Sequence, residues 1–248
     1  MEGGSRRAPD FGPLAADYDR LRPADANWEE VLGLLDAEAD LAGRRVLDVG
    51  CGTGQLAAAL GERGARVWGV DTAEEMLERA RATAPRAGFK LGRAEELPFK
   101  DGWFERVVFR LAVHLLDRPR AFAEARRVLV PGGRVAVATF APEHFDGYWL
   151  NSFFPRILEI DLARFPTARA LEAELAEAGF ADPRTRPLRQ RSTLARAAAL
   201  ERIRNRYIST LRLLDEEEFA AGLERAEREL PQTLDHTVDW LVTTAVKS

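Results

Sequence analysis

Val46-Leu47-Asp48-Val49-Gly50-Cys51-Gly52-Thr53-Gly54-Gln55 is an apolar run that ends in three glycines spaced two apart. A helix-forming stretch, Leu56-Ala57-Ala58-Ala59-Leu60, follows directly. Chemically this is a strand, a turn without side chains and a helix start. Glycines at such a turn permit φ > 0 and let a ligand approach the backbone. The helix start presents free N–H groups at the positive end of its dipole, a setting for an anionic or strongly polar ligand.

Outward from this turn the chain alternates between two periodicities. Strands are predicted over 45–49, 66–70, 89–93, 106–111 and 134–140, with helices over 55–63, 73–82 and 118–129 between them and a turn at Pro131-Gly132-Gly133. A first helix over 28–39 carries Trp28, Val31, Leu32, Leu34 and Leu35 at helical spacing. Strands alternating with helices imply right-handed βαβ units and a mostly parallel sheet covered on both faces. The fold class is therefore α/β, Rossmann-like, with seven strands, helices on both faces and a helical lid inserted before the last strand.

Past Phe140 the pattern changes. A helix over 167–179, a strand over 183–190, a long amphipathic helix over 192–214, a further helix to about Leu230 and a final strand over 237–247 are expected. With no internal repeat or low-complexity linker, the chain reads as one domain: an N-terminal segment 1–40, a core 41–140, substrate-side and lid insertions 141–236 and a last strand 237–248. Residues 1–12 are read as disordered.

Composition narrows the function classes. A net charge of −4 gives no general electrostatic grip on nucleic acid. The single cysteine, Cys51, rules out an internal disulfide framework and a cysteine-based zinc cluster, and no metal site is expected. No signal peptide is visible and the apolar runs are too short to span a bilayer, so a cytoplasmic protein is expected.

The turn by itself suits two cofactor classes. A dinucleotide site needs G-x-G-x-x-G/A, with a small third residue to pack helix on strand. Counted from Gly50 that position is Gln55, which is too large; counted from Gly52 it is Ala57, but the turn then starts late. Asp71, about 20 residues on, ends the second strand and suits a ribose hydroxyl pair in either a nicotinamide or an adenosyl cofactor. It equally suits a helix N-cap.

Four motifs in order separate the two classes. They are Val46–Gly54, then Gly69-Val70-Asp71-Thr72-Ala73-Glu74-Glu75-Met76, then Arg93-Ala94-Glu95-Glu96-Leu97-Pro98-Phe99, then Arg126-Arg127-Val128-Leu129-Val130-Pro131-Gly132-Gly133. Together they closely resemble the class I S-adenosylmethionine-dependent methyltransferases. Within these, the chain is similar to the bacterial type 11 small-molecule group, akin to the ubiquinone/menaquinone-biosynthesis methyltransferases. The resemblance covers about residues 14–140, and 239–247 more loosely. It implies that Gly50, Gly52 and Gly54 line the methionine moiety of S-adenosylmethionine, that Asp71 takes the ribose hydroxyls, and that Thr72 and Met76 flank the adenine. It places Ala94 and Glu95 at the adenine edge, counts Arg110 among the cofactor contacts, and makes Asp48 a residue that orders the turn. Tyr18 and Arg22 belong to a segment resembling the one that closes over the cofactor, where they would meet its carboxylate.

The implied reaction moves a methyl group from sulfonium to a small-molecule acceptor. His114, just beyond the fourth strand, is the candidate base; the competing reading is a hydrogen-bonded structural histidine. His144 and His236 have no supporting context. The aromatic stretch His144–Phe154 and the helices of 192–230 are read as a lid, with Tyr148, Arg204 and Tyr207 as substrate-contact candidates. The alternatives carried alongside are an NAD(P)-dependent oxidoreductase and a non-catalytic S-adenosylmethionine-binding protein. The acceptor and the oligomeric state are not encoded in any motif.

Overall fold

The structure, a computed structural model, describes residues 18–22 and 25–248. The expected disorder of residues 1–12 lies outside these. Seven strands form one sheet in the order β3-β2-β1-β4-β5-β7-β6: β1 Arg45–Val49, β2 Arg66–Asp71, β3 Gly88–Leu91, β4 Phe104–Arg110, β5 Leu129–Phe140, β6 Phe180–Ala195 and β7 Thr233–Lys247. β1 to β5 pair in parallel, whereas β7 is antiparallel to both β5 and β6. The strand order reverses between β1 and β4, and in such sheets ligands bind beyond the carboxyl ends at that point.

The sheet is covered on both faces at its centre, which explains why β4 and β5 bury consecutive apolar residues, Val107–Phe109 and Val135–Ala138. Val107, Phe109, Val135 and Val137 face α5 (Arg118–Val128) and α8 (Ala168–Glu177), whose Phe122, Leu171 and Leu175 complete that core. The alternate residues Val108, Ala136 and Ala138 face α2 (Ala26–Ala39) and α3 (Gln55–Glu62), where Trp28, Leu32, Leu35 and Leu60 close the second core. α4 (Glu74–Thr83) covers β2 and β3.

Three expectations change in the structure. Pro131-Gly132-Gly133 is a bulge inside β5: β4 pairs Phe104 with Leu129 and then Arg106 with Arg134, so Val130–Gly133 loop out opposite Glu105. Gly132, at φ +74°, supplies the left-handed residue that loop needs. The expected helix over 192–214 is instead three pieces. Ser192–Ala195 finish β6, α9 covers only Arg196–Arg204, and the chain then turns through Arg206 at φ +44° into a short 3₁₀ segment at Thr210–Arg212. Leu200, Ile203, Tyr207, Leu211 and Leu214 still enter one core, so the spacing recorded burial correctly while the backbone type differed. β6 and β7 are also longer than expected. Their ladder runs from Phe180↔Lys247 to Ala195↔Thr233, whereas β5 leaves β7 at Phe140↔Trp240. The hairpin thus projects beyond the carboxyl edge of the sheet and carries α9 and α10 (Glu216–Glu229).

These helices join α6 (Glu143–Asp146) and α7 (Arg156–Leu162) in a third apolar cluster, the lid. Its tightest contact is Gly222 of α10 against Phe154, which is fully buried; a Cβ at Gly222 would lie 2.2 Å from Phe154 Cε1. Glycine in a helix interior costs about 1 kcal/mol relative to alanine, so close approach is the reason it stands here. Among the described residues no helix is long and apolar enough to cross a membrane.

Gly222→Ala should therefore destabilise the protein despite its better helix propensity. Overpacking of about 1–3 kcal/mol against a propensity gain of about 1 kcal/mol leaves a net loss of up to about 2 kcal/mol, read as a lowered urea midpoint. An unchanged or raised midpoint would refute the close-packing account.

Candidate active site

The glycine turn is fixed by the end of β2. Gly50 and Cys51 both donate backbone N–H bonds to Val70 O, at 2.8 and 3.1 Å, and Gly52 N–H donates to Asp71 Oδ2 at 2.9 Å. Gly50, Gly52 and Gly54 have φ of +74°, +52° and +80°, values that side chains rarely tolerate. Gly54 caps α3 without a side-chain hydrogen bond, leaving first-turn N–H groups open. A Cβ on Gly54 would also stand 2.9 Å from Ala80 Cα, so this glycine serves the packing of α3 on α4.

A cavity of about 190 Å³ opens above the turn. Gly50, Gly52, Asp71, Thr72, Met76, Ala94, Glu95, Arg110 and Tyr18 all line it, brought from five separate segments. Asp71 also accepts from Ala73 N–H at 3.1 Å, so it anchors the start of α4 while its carboxylate faces the cavity. Glu95 is differently employed: it accepts from Asp117 N–H at 3.1 Å, beside Arg93 at 3.4 Å. That carboxylate ties the loop after β3 to the start of α5.

α1 (Tyr18–Leu21) straps the turn from outside. Asp19 accepts from Thr53 Oγ1 at 2.5 Å and from Gln55 Nε2 at 2.8 Å. Arg22 reaches away from the glycines: it donates to Tyr207 O, lies over the Tyr18 ring at 4.2 Å, and lines a second cavity rather than the first.

That second cavity, of about 230 Å³, shares Tyr18, Arg110, Leu111 and Leu115 with the first. The shared wall is the end of β4. There Leu111 takes φ +50°, a left-handed conformation rare for a branched residue and typical of constrained functional backbone. Arg110 lies over the Trp28 ring at 4.0 Å with its Nε buried and unpartnered. Burial lowers its pKa to about 10, with Tyr18 and Asp48 opposing.

All three histidines of the chain line this chamber. His114 sits in the 3₁₀ turn after Leu111, stacked on Phe165 at 4.2 Å, with Nδ1 buried and unpartnered. Burial, helped by Arg164 and Arg22, pushes its pKa down to about 3. His144 is pushed to about 4 and His236 is lowered, burial leading in each, and each has an unpartnered buried Nδ1. The hydrogen bond expected of a purely structural His114 is thus missing at Nδ1. His144 and His236 had no sequence support of their own. The signal for His236 was nonetheless there: His236, Val238 and Trp240 alternate along β7 and all face the chamber, opposite Ser192 and Gln190 of β6.

Of the three substrate candidates, Tyr148 and Tyr207 line the chamber, their hydroxyls 2.6 Å apart. Arg204 lies outside it, exposed and paired with Glu227 at 2.6 Å; Arg202, two residues earlier on α9, is the lining residue.

The general model of the methyltransferase domain matches residues 47–137. An uncharacterised methyltransferase of Mycobacterium tuberculosis is 43% identical over 127 residues, 51% of this chain and 50% of its own, so the chain spans about half the length of that relative. A demethylmenaquinone methyltransferase of Thermus thermophilus is 33% identical over 201 residues, 68% of this chain and 90% of its own. The chain belongs to the class I S-adenosylmethionine-dependent methyltransferases. Phosphoethanolamine N-methyltransferase 2 of Haemonchus contortus, solved with S-adenosyl-L-methionine, shares the fold at TM-score 0.61 and 21% identity, over 100% of this chain and 61% of that one.

One buried acid in this methyltransferase fold gives a measurable signature. Asp48, under the turn, is 2% exposed with Oδ2 unpartnered, and burial raises its pKa to about 7, Arg110 opposing. A pKa raised by folding contributes stability fully below the unfolded value near 4 and loses it as pH rises through about 7. In the cofactor-free protein Asp48→Asn should therefore match wild type below about pH 4 and exceed it above about pH 7, by on the order of a few kcal/mol. Denaturant titrations across that range would show it, and parallel pH curves would contradict it.

Proposed function

We propose that this chain transfers the methyl group of S-adenosylmethionine to a small-molecule acceptor held in the chamber beyond β4. One observation carries the reading: a glycine-turn cavity and an aromatic-lined chamber meet at a common wall of Tyr18, Arg110, Leu111 and Leu115. A donor in the first and an acceptor in the second would face each other across it. The cofactor recorded in the Haemonchus enzyme and the small-molecule activity named for the Thermus relative support this reading. The enclosed volume of about 230 Å³ fits a small molecule rather than a nucleic-acid strand.

Gly50 and Gly52 would receive the methionine moiety against bare backbone, with Asp71 on the ribose hydroxyls and Thr72, Met76 and the Ala94 backbone around the adenine. Sulfonium is an able leaving group, so the protein contributes alignment and exclusion of water. The aromatic walls and the lid supply both. His114, uncharged at neutral pH with an open Nδ1, is suited to accept a hydrogen bond that orients the acceptor; its low pKa makes it a weak proton acceptor.

Calorimetry should show S-adenosylhomocysteine binding at micromolar Kd and no heat from NADH. Asp71→Ala should weaken the former at least about tenfold, the scale of one lost charge-assisted hydrogen-bond pair. NADH binding in its place would favour an oxidoreductase. By NMR, the imidazole signals of His114 and His144 should stay flat from about pH 5.5 to about 9; a midpoint near the usual value of about 6.5 would restore His114 as a base.

A further inference from the structure

Among the residues lining the chamber, guanidinium groups outnumber carboxylates. Arg22, Arg110 and Arg202 line it, and none has an ion pair among the described residues. Each instead faces a ring: Arg22 over Tyr18, Arg110 over Trp28 and Arg202 over Tyr207 at 5.6 Å. Arg110 and Arg202 make no hydrogen bond to any described residue. The two lining acids are already engaged. Asp25 caps α2 by accepting from Trp28 N–H at 3.1 Å, and Asp161 accepts from Thr210 Oγ1 at 2.5 Å with Arg164 at 3.6 Å. Enclosed like charges repel strongly where the effective dielectric is low, and a buried cation without a partner is costly. S-adenosylmethionine does not cancel this excess. Its sulfonium and ammonium against one carboxylate add a net positive charge, and that carboxylate can occupy at most the Arg22–Arg110 side of the wall.

Arg202 is the separable member of the set. It comes from α9 in the lid and lines the chamber but not the glycine-turn cavity. Beside it stands the Tyr148–Tyr207 pair, with hydroxyl oxygens 2.6 Å apart. Two hydroxyls in one mutual hydrogen bond use one hydrogen and leave the other to donate elsewhere. A guanidinium and a free phenolic donor together form an anion receptor. Aromatic rings form much of the remaining lining, with Phe140 4.6 Å from Trp240 and Phe145 4.6 Å from Phe165.

We propose that the acceptor is an aromatic carboxylate, its carboxylate anchored by Arg202 and the Tyr148–Tyr207 hydroxyl pair and its ring lying among Phe140, Phe165 and Trp240. This rests on the methyltransferase reading, and it assigns the lid a role in selecting charge. The anchor stands on the lid side, which leaves the other end of the ring toward the wall where the methyl group would enter. An amine acceptor would find only Asp25, which caps α2, and Asp161, which stands beside Arg164, and a neutral acceptor would leave Arg202 without a counter-charge.

The probes are 1-naphthoate and 1-naphthamide, matched in shape and different in charge. Trp28, Trp149 and Trp240 line the chamber and report binding by fluorescence quenching. With S-adenosylhomocysteine at saturation, wild type should bind naphthoate at least about tenfold more tightly than naphthamide, the scale of a charge-assisted bidentate contact. Arg202→Gln should reduce the preference to about threefold or less, and Arg202→Lys should restore part of it, with the Kd for S-adenosylhomocysteine unchanged in both. Equal binding of the two probes, no binding of either, or a preference that survives Arg202→Gln would overturn the proposal. Failure of S-adenosylhomocysteine to bind wild type would instead strike the methyltransferase reading, and the naphthoate comparison can still be run on the protein alone.

Discussion

The structure depends on β1 ending in a turn with no side chains. Gly50 and Cys51 hang from Val70 O and Gly52 from Asp71, so the end of β2 sets the position of the backbone that follows β1. Three residues in left-handed or near-left-handed conformation then redirect the chain into α3. A Cβ on Gly50 would meet Ala112 Cβ at 2.9 Å, so the same glycine lets the segment after β4 approach. The crevice between β1 and β4 exists because both strands end there and neither fills it.

Around this crevice charge is handled in two ways. At the far end of the sheet, Arg106 donates to Ala39 O, Asp40 O, Glu105 O and the Asp40 carboxylate, closing the carboxyl end of α2 with all three guanidinium nitrogens engaged. At the crevice, Arg110, four residues further along β4, has rings for neighbours and no hydrogen-bond partner among the described residues. Buried polar groups are ordinarily satisfied, so unsatisfied atoms gathered at one place mark where a ligand completes the set. Arg110, His114, His144 and His236 share that trait and share one chamber.

Much of this was legible in the primary structure because it rests on local rules. β1 has the predicted bounds, and α3, α4 and α5 differ from prediction by a residue or so, since apolar runs, glycine breaks and helical spacing act over short distances. The lid was legible only as burial. The positions from Leu200 to Leu214 are buried as their spacing implied, but α9 stops at Arg204 and the rest of that face arrives through a left-handed residue and a 3₁₀ turn. Arg202 rather than Arg204 enters the chamber because residues two apart in α9 lie about 200° apart around the helix and so on opposite faces.

By itself the sequence determined the mostly parallel α/β sheet and the glycine turn, because each is written in contiguous residues whose backbone preferences and spacing are intrinsic. Tertiary structure alone decided the aromatic-lined chamber. His114, His144, Arg202 and His236 lie far apart in the chain, and each taken alone has the look of a core or surface residue. They converge only because β6 and β7 run on past the sheet and fold the lid back over the end of β4. Burial then lowers the pKa of the three histidines and leaves Arg202 in a chamber where no described residue forms an ion pair with it, a property of the assembled cavity rather than of any stretch of sequence.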